Sequence, residues 1–179
     1  AAAVDSIGDA LLERRSLWDY IEWKDTDGDA PAMRRLCGRL SLIYGMTEET
    51  VPACLCPYLA LPDSFEACLR GLGANQRYNF RRRRRSLERA GAVEFVTLRG
   101  ASEVSAHFDH LVRLHRARFS EKGHQSAFLD SAVLDFHRGV LSAKSGDQWE
   151  RLHLLRVNGE VVAAMYGFSM VGKFLFLQS

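Results

Sequence analysis

The sequence predicts an α/β (α+β) protein built on a mixed, mostly antiparallel sheet flanked by helices, and three observations carry that prediction. Asn158-Gly159 lies between the apolar runs 152–157 and 160–166, the preferred pair for a two-residue hairpin turn. A second turn at Val171-Gly172 leads into a last apolar run, so 152–178 reads as a three-strand meander. Ahead of it, Val104, Phe108, Leu111, Val112 and Phe119 recur on one broad face of a long helix.

Taken in order, residues 9–15 read as the end of a helix. The aromatic, alternating stretch Trp18-Asp-Tyr-Ile-Glu-Trp23 reads as a strand. Pro31 suits the first turn of a helix carrying Met33, Leu36, Leu40 and Ile43, which Gly45 ends. Residues 51–61 are strand-like but interrupted by Pro52 and Pro57, which confines them to an edge or a crossing segment. Asp63 and Glu66 have capping-box spacing and open a short helix that Gly71 and Gly73 loosen. A second helix spans about 75–90 and closes at Gly91 with a left-handed cap, followed by a strand over 93–98. Ser102 is the expected cap of the long helix, which Lys122-Gly123 ends. One more helix, with Val133, Leu134, Phe136, Val140 and Leu141, precedes the meander.

Composition narrows the function classes. A chain of 179 residues with 47% hydrophobic and 26% charged residues buries a real core and is not a disordered segment. Its net charge of +2 creates no global field for nucleic acid or lipid, so any basic function is local. No apolar run reaches the roughly 20 residues that span a bilayer, and the opening lacks the pattern of a signal peptide. Cys37, Cys54, Cys56 and Cys68 show neither a disulfide framework nor metal-ligand spacing, which points to reduced thiols in a cytoplasmic protein and no metal. The chain begins without Met and closes on Phe174-Leu-Phe-Leu-Gln-Ser179, an apolar strand pattern; both ends read as cut.

Three constellations bear on chemistry. Arg81–85 are five successive arginines, and on a helix their side chains point all the way round. A solvated face is the plain reading, an anionic ligand (cofactor phosphate, polysaccharide or tRNA) the sharper one, and nothing accompanies the run that would read DNA sequence. The stripe through Phe80 and Leu87 turns Arg83 or Arg84 inward, toward an acid. His107, His110 and His115 do not form a metal-binding helix pattern. His115 lies between the two apolar rows of its helix, either a core imidazole or a proton carrier beside a cleft. Phosphate-binding glycine loops and the nucleophile elbow of hydrolases are absent from the sequence.

The stretch from Cys56 to Ser179 adds a resemblance. Cys56-Pro-Tyr-Leu-Ala-Leu-Pro-Asp-Ser-Phe-Glu-Ala-Cys-Leu69 and Asn79-Phe-Arg-Arg-Arg-Arg-Arg-Ser-Leu-Glu-Arg-Ala-Gly91 are similar to the start of the catalytic half of CelD-type GNAT acyltransferases. These are associated with bacterial cellulose and exopolysaccharide biosynthesis and are distantly like the FemAB peptidyltransferases. Leu114-His-Arg-Ala-Arg-Phe119 resembles the family's Leu-His-x-x-Arg-Trp, with Phe119 in place of Trp, and Val161-Val-Ala-Ala-Met-Tyr-Gly-Phe168 and the final Phe-Leu-Gln-Ser strand continue the match. The resemblance implies a GNAT-like fold, incomplete here. In it, 1–60 is the trailing part of a first, non-catalytic GNAT-like domain, and 61–179 is the N-terminal part of the catalytic one.

It also implies transfer of an acyl group from acetyl-CoA or another acyl-CoA to an amine or hydroxyl of a small-molecule or saccharide acceptor. Leu177, Gln178 and Ser179 match the strand that bonds the pantetheine arm, and Arg118 is the matching substrate-binding position. The family's phosphate-cradling loop follows Ser179, so this stretch is expected to be inactive alone and not to hold acetyl-CoA appreciably. Within reach of the meander, His115 is the candidate base, Tyr166 the candidate acid (or a core tyrosine), and Gln178 a candidate amide donor. Two other readings stay open: a FemAB-like aminoacyl-tRNA-dependent transferase, and a non-catalytic GNAT scaffold in a polysaccharide assembly machine. The apolar edge 173–179 is expected to self-associate.

Overall fold

The computed structural model describes residues 2–24, 26–27, 29–51, 57–143 and 148–179. Residues up to Asp63 form one compact unit and Ser64–Ser179 another.

In the first unit, helix α1 (Ala2–Glu13) packs on helix α2 (Pro31–Tyr44). Pro31 sits in the first turn of α2 and Gly45, at φ 60°, closes it in the left-handed region, as its sequence predicts. Leu36 and Leu40 are the buried row. Arg35 binds the Asp5 carboxylate with two nitrogens at 3.1 and 2.8 Å, and that guanidinium holds the Asp5 pKa below its usual value.

Residues 18–24 are not the expected strand. With no partner strand beside it among the described residues, Trp18 instead folds back on the preceding turn. Its indole N–H donates to the Leu11 carbonyl at 3.1 Å, and the Arg15 guanidinium lies 4.5 Å above its ring. Residues 57–61 are irregular as well, while Pro52 to Cys56, in the other expected strand, lie outside the described residues.

The second unit runs α3 (Phe65–Gly71), α4 (Ala74–Ala90), β1 (Val93–Arg99), α5 (Gly100–Glu121), α6 (Ser131–Ser142), β2 (Glu150–Val157), β3 (Glu160–Met170) and β4 (Lys173–Gln178). The sheet is antiparallel throughout, in the order β1-β2-β3-β4. The predicted meander is therefore present, turning at Asn158 and Gly159 (φ 52° and 84°) and at Val171 and Gly172 (φ 47° and 72°).

Alternation, shifted by one where Val162 is the extra residue of a bulge in β3, places Val96, Leu98, Leu152, Leu154, Val161, Ala164 and Tyr166 on the inner face, where α5 crosses β1, β2 and β3 and α6 packs on α5. Asn158 does more than turn the hairpin. Its side-chain oxygen accepts from Ala92 N at 2.9 Å and its own N–H donates to the Ala92 carbonyl at 2.8 Å, which ties the turn to the start of β1. Gly91 is required there because a Cβ would collide with the Asn158 amide; its φ of 156° with ψ −169° is not the left-handed cap expected.

Four local expectations fail, each because a neighbouring group does the task better. Ser64, not Asp63, caps α3 by accepting from Ala67 N at 3.1 Å. Arg99 occupies the cap position of α5, with its N–H donating to Glu103 at 2.9 Å, so Ser102 lies inside the helix. On α6, Phe136 faces solvent and His137 takes the buried place. On α4, Arg81 to Arg85 are all exposed and Phe80 and Leu87 only half-buried, so no arginine turns inward; Arg84 pairs with Glu88 at 2.8 Å on the surface.

Candidate functional site

The end of β4 meets one turn of α5. His115 and Arg118 lie three residues apart on α5 and so project from neighbouring positions, toward Gln178 and Ser179 at the strand's end. A bulge delivers that end. Tyr166 on β3 pairs with Gln178, but Gly167 pairs with Phe176, which leaves Leu177 as the extra residue on β4. Gly167 permits this because a Cβ there would overlap the Leu175 carbonyl oxygen.

His115 is 2% exposed, stacked on Phe119 at 4.3 Å and edge-on to Phe128 at 4.9 Å. Both ring nitrogens are engaged. Nδ1 lies 2.7 Å from Ser126 Oγ and Nε2 lies 2.9 Å from Gln178 Oε1. A neutral imidazole carries one N–H and Gln178 Oε1 only accepts, so Nδ1 is the acceptor and takes the Ser126 hydroxyl proton, while Ser126 Oγ accepts from Phe128 N at 3.1 Å. The imidazole proton then sits on Nε2 and is donated to the Gln178 carbonyl oxygen. Burial, with help from the Arg118 charge, holds the His115 pKa below its usual value, although the Gln178 bond opposes this; the ring is neutral at neutral pH.

The consequence falls on Gln178. With its oxygen fixed by His115, its amide NH₂ has no bonding partner among the described residues. Arg118 closes the other side by donating to Ser179 Oγ at 3.0 Å. Beside them is an open cleft of about 310 Å³ lined by Leu114, Ala117, Arg118, Glu121, Val162 and Ser179, among others. Leu177 is exposed at the strand edge.

Tyr166, the candidate acid, stands apart from this group. It is fully buried, with its ring against Phe108, His137 and Phe168, and its hydroxyl has no hydrogen-bond partner among the described residues. Burial first, then the Glu150 charge, pushes its pKa up to about 12. His115, Arg118, Gln178 and Ser179 are thus brought together; Tyr166 is the register partner of Gln178 across the strands, with its ring in the core. Sequence reasoning missed Ser126, whose signal as the cap of a 3-10 turn says nothing of the histidine it holds.

Among the described residues, no three His, Cys, Asp or Glu side chains converge as a metal site, and no helix is long and apolar enough to cross a membrane. Cys37 and Cys68 are free thiols; Cys54 and Cys56 lie outside the described residues.

The profile of the acetyltransferase (GNAT) domain matches residues 74–179, from the start of α4 to the end of the chain. The chain belongs to that GNAT family. No curated protein and no solved structure matches it. The antiparallel sheet with α5 and α6 on its inner face is the GNAT-like core of this protein, and acyltransferase is its class. GNAT acetyltransferases use acyl-CoA. β4 is paired only with β3 among the described strands, and Leu177 has no register partner, so extended backbone is open at that edge.

Proposed function

We propose that this protein is an acyl-CoA-dependent N-acyltransferase whose reaction centre is the Gln178 end of β4, serving a small-molecule or saccharide acceptor in bacterial polysaccharide biosynthesis. The observation that carries the site is the Ser126–His115–Gln178 chain of hydrogen bonds, which fixes the Gln178 carbonyl oxygen next in sequence to Ser179 of the cleft wall and leaves the amide NH₂ without a partner among the described residues. Leu177, Gln178 and Ser179 hold the pantetheine arm along the strand edge, and Arg118 faces the substrate.

In the transfer, the acceptor nitrogen attacks the thioester carbonyl carbon, a C–N bond forms and the carbonyl oxygen becomes an oxyanion. Gln178 N–H donates to that oxygen where charge develops. The oxyanion collapses, the C–S bond breaks and the thiolate leaves. The proton lost by the amine is taken by Glu121, a carboxylate lining the cleft. His115 acts through Gln178 as a positioning residue, because its Nε2 already carries a proton. Tyr166 keeps its proton throughout, its ring buried in the core. A CoA thioester as donor sets the reaction in the cytoplasm, and the apolar β4 edge is where two copies associate.

Titration calorimetry of the full-length protein with acetyl-CoA tests this reading. Micromolar binding, weakened about tenfold or more by Arg118→Gln, supports it, since one charge-assisted hydrogen bond is worth roughly 1.5–3 kcal/mol. An absence of binding by the folded, full-length protein overturns the acyl-CoA reading.

A further inference from the structure

Helix α4 carries seven arginines against one glutamate in a chain whose net charge is only +2. Solvated helices commonly interleave opposite charges at four-residue spacing; here Arg77–Arg81, Arg81–Arg85 and Arg85–Arg89 are all like-charged pairs, which weaken a helix. Arg84 has the Glu88 partner. Arg81, Arg82 and Arg85 have no acidic partner among the described residues, and Arg77 donates to the carbonyls of Arg70 and Leu72.

The run of five points all round the helix, yet Arg77 completes a face. Arg77, Arg81 and Arg85 follow one another at four-residue steps, roughly 6 Å apart along the axis. With Tyr78 and Arg82 beside them they line a shallow cleft of about 320 Å³. Tyr78 is 66% exposed, an aromatic ring held among cationic forks. None of these residues lines the cleft at the β4 end.

We propose that this face of α4 binds a single-stranded nucleic acid, with phosphates on Arg77, Arg81, Arg82 and Arg85 and a base stacked on Tyr78, without reading sequence. A row of forks suits a repeating phosphodiester better than one isolated anion, because each guanidinium matches phosphate geometry. An exposed ring set in a positive groove is a stacking platform for any base. A lipid surface fits less well. Helices lying in headgroups bury an apolar face, whereas Phe80 and Leu87 are already half-buried, Phe80 with its ring 5.4 Å from that of Phe65.

The test is fluorescence anisotropy of a labelled 20-nucleotide oligouridylate with the full-length protein across a salt series. Four phosphate contacts predict a slope of about −3 in log K against log salt. Replacing Arg77, Arg81, Arg82 and Arg85 together with Gln is expected to remove most of that slope and to weaken binding at low salt by about 30-fold or more. Circular dichroism confirms that the Gln variant keeps its helix, as Gln is nearly as good a helix former as Arg. The four-Lys variant keeps the slope, and Tyr78→Ala weakens binding about fivefold or more with the slope unchanged. Unchanged binding by the Gln variant overturns the proposal. So does equal affinity for alginate, a carboxylated polysaccharide, or tighter binding to phosphatidylserine vesicles than to the oligonucleotide.

Discussion

Replacing Tyr166 with Phe is expected to stabilise the protein, although Tyr166 is among its most deeply buried residues. Its ring packs against Phe108, His137 and Phe168, and its buried hydroxyl has no hydrogen-bond partner among the described residues. A buried polar group left unpaired costs about 1–3 kcal/mol. Phe keeps the ring and its packing while removing that cost, so a gain of about 1 kcal/mol is expected at pH 8. The alkaline limb gives a second readout. Unfolded tyrosine ionises near 10, and in the folded protein burial and Glu150 push Tyr166 to about 12. Between those values the folded state keeps a proton that the unfolded chain releases, so stability present below pH 10 is lost as pH rises. Two units at roughly 1.4 kcal/mol each amount to about 3 kcal/mol by pH 12. Urea denaturation of both proteins at about pH 8 and about pH 11.5 measures each effect. Tyr166→Phe should show this alkaline loss reduced by most of that amount. A loss of more than about 1 kcal/mol at pH 8 would refute the reasoning, because it would mean that the hydroxyl has a partner.

Ser126→Ala strands the buried His115 Nδ1 and the Phe128 N–H, so a loss of about 2–4 kcal/mol in denaturant melts is expected; a change under about 0.5 would contradict the bonding pattern. Burial depresses the pKa of His115, His137 and His153, so the unfolded chain binds protons first on acidification. Stability is therefore full above about pH 6.5 and falls as pH drops below it; a flat profile down to about pH 5 would contradict this. Val171, a β-branched residue at φ 47° and 97% exposed, is strained, and Val171→Asn is expected to raise stability by about 1 kcal/mol in the same melts.

Much of the second unit was legible because its signals are local. Asn158-Gly159 fixes its hairpin by backbone preference alone, and the apolar row of α5 states which face is buried. The strand expected at Trp18–Trp23 fails for the opposite reason. Aromatic alternation fits a pleated surface, but a strand needs a neighbour, and Trp18 found the Leu11 carbonyl instead. The inward arginine failed because the α4 stripe of Phe80 and Leu87 is only half-buried. At the site, His115, Arg118 and Gln178 were visible through their place in the resemblance. Ser126 was not, because the contact that matters spans a helix and a turn. Nor was the tautomer, which follows from the Gln178 carbonyl oxygen that faces Nε2 from the end of β4.

The central claim is that acyl transfer occurs against the amide of Gln178, and steady-state release of free CoA thiol from acetyl-CoA tests it most directly. The full-length protein with an amine acceptor should release thiol, and Gln178→Ala should lower kcat by about 100-fold or more with KM little changed, as expected for a donor that bonds only the developing oxyanion. Equal turnover by the two proteins, or a variant whose KM rises while kcat holds, would contradict the account.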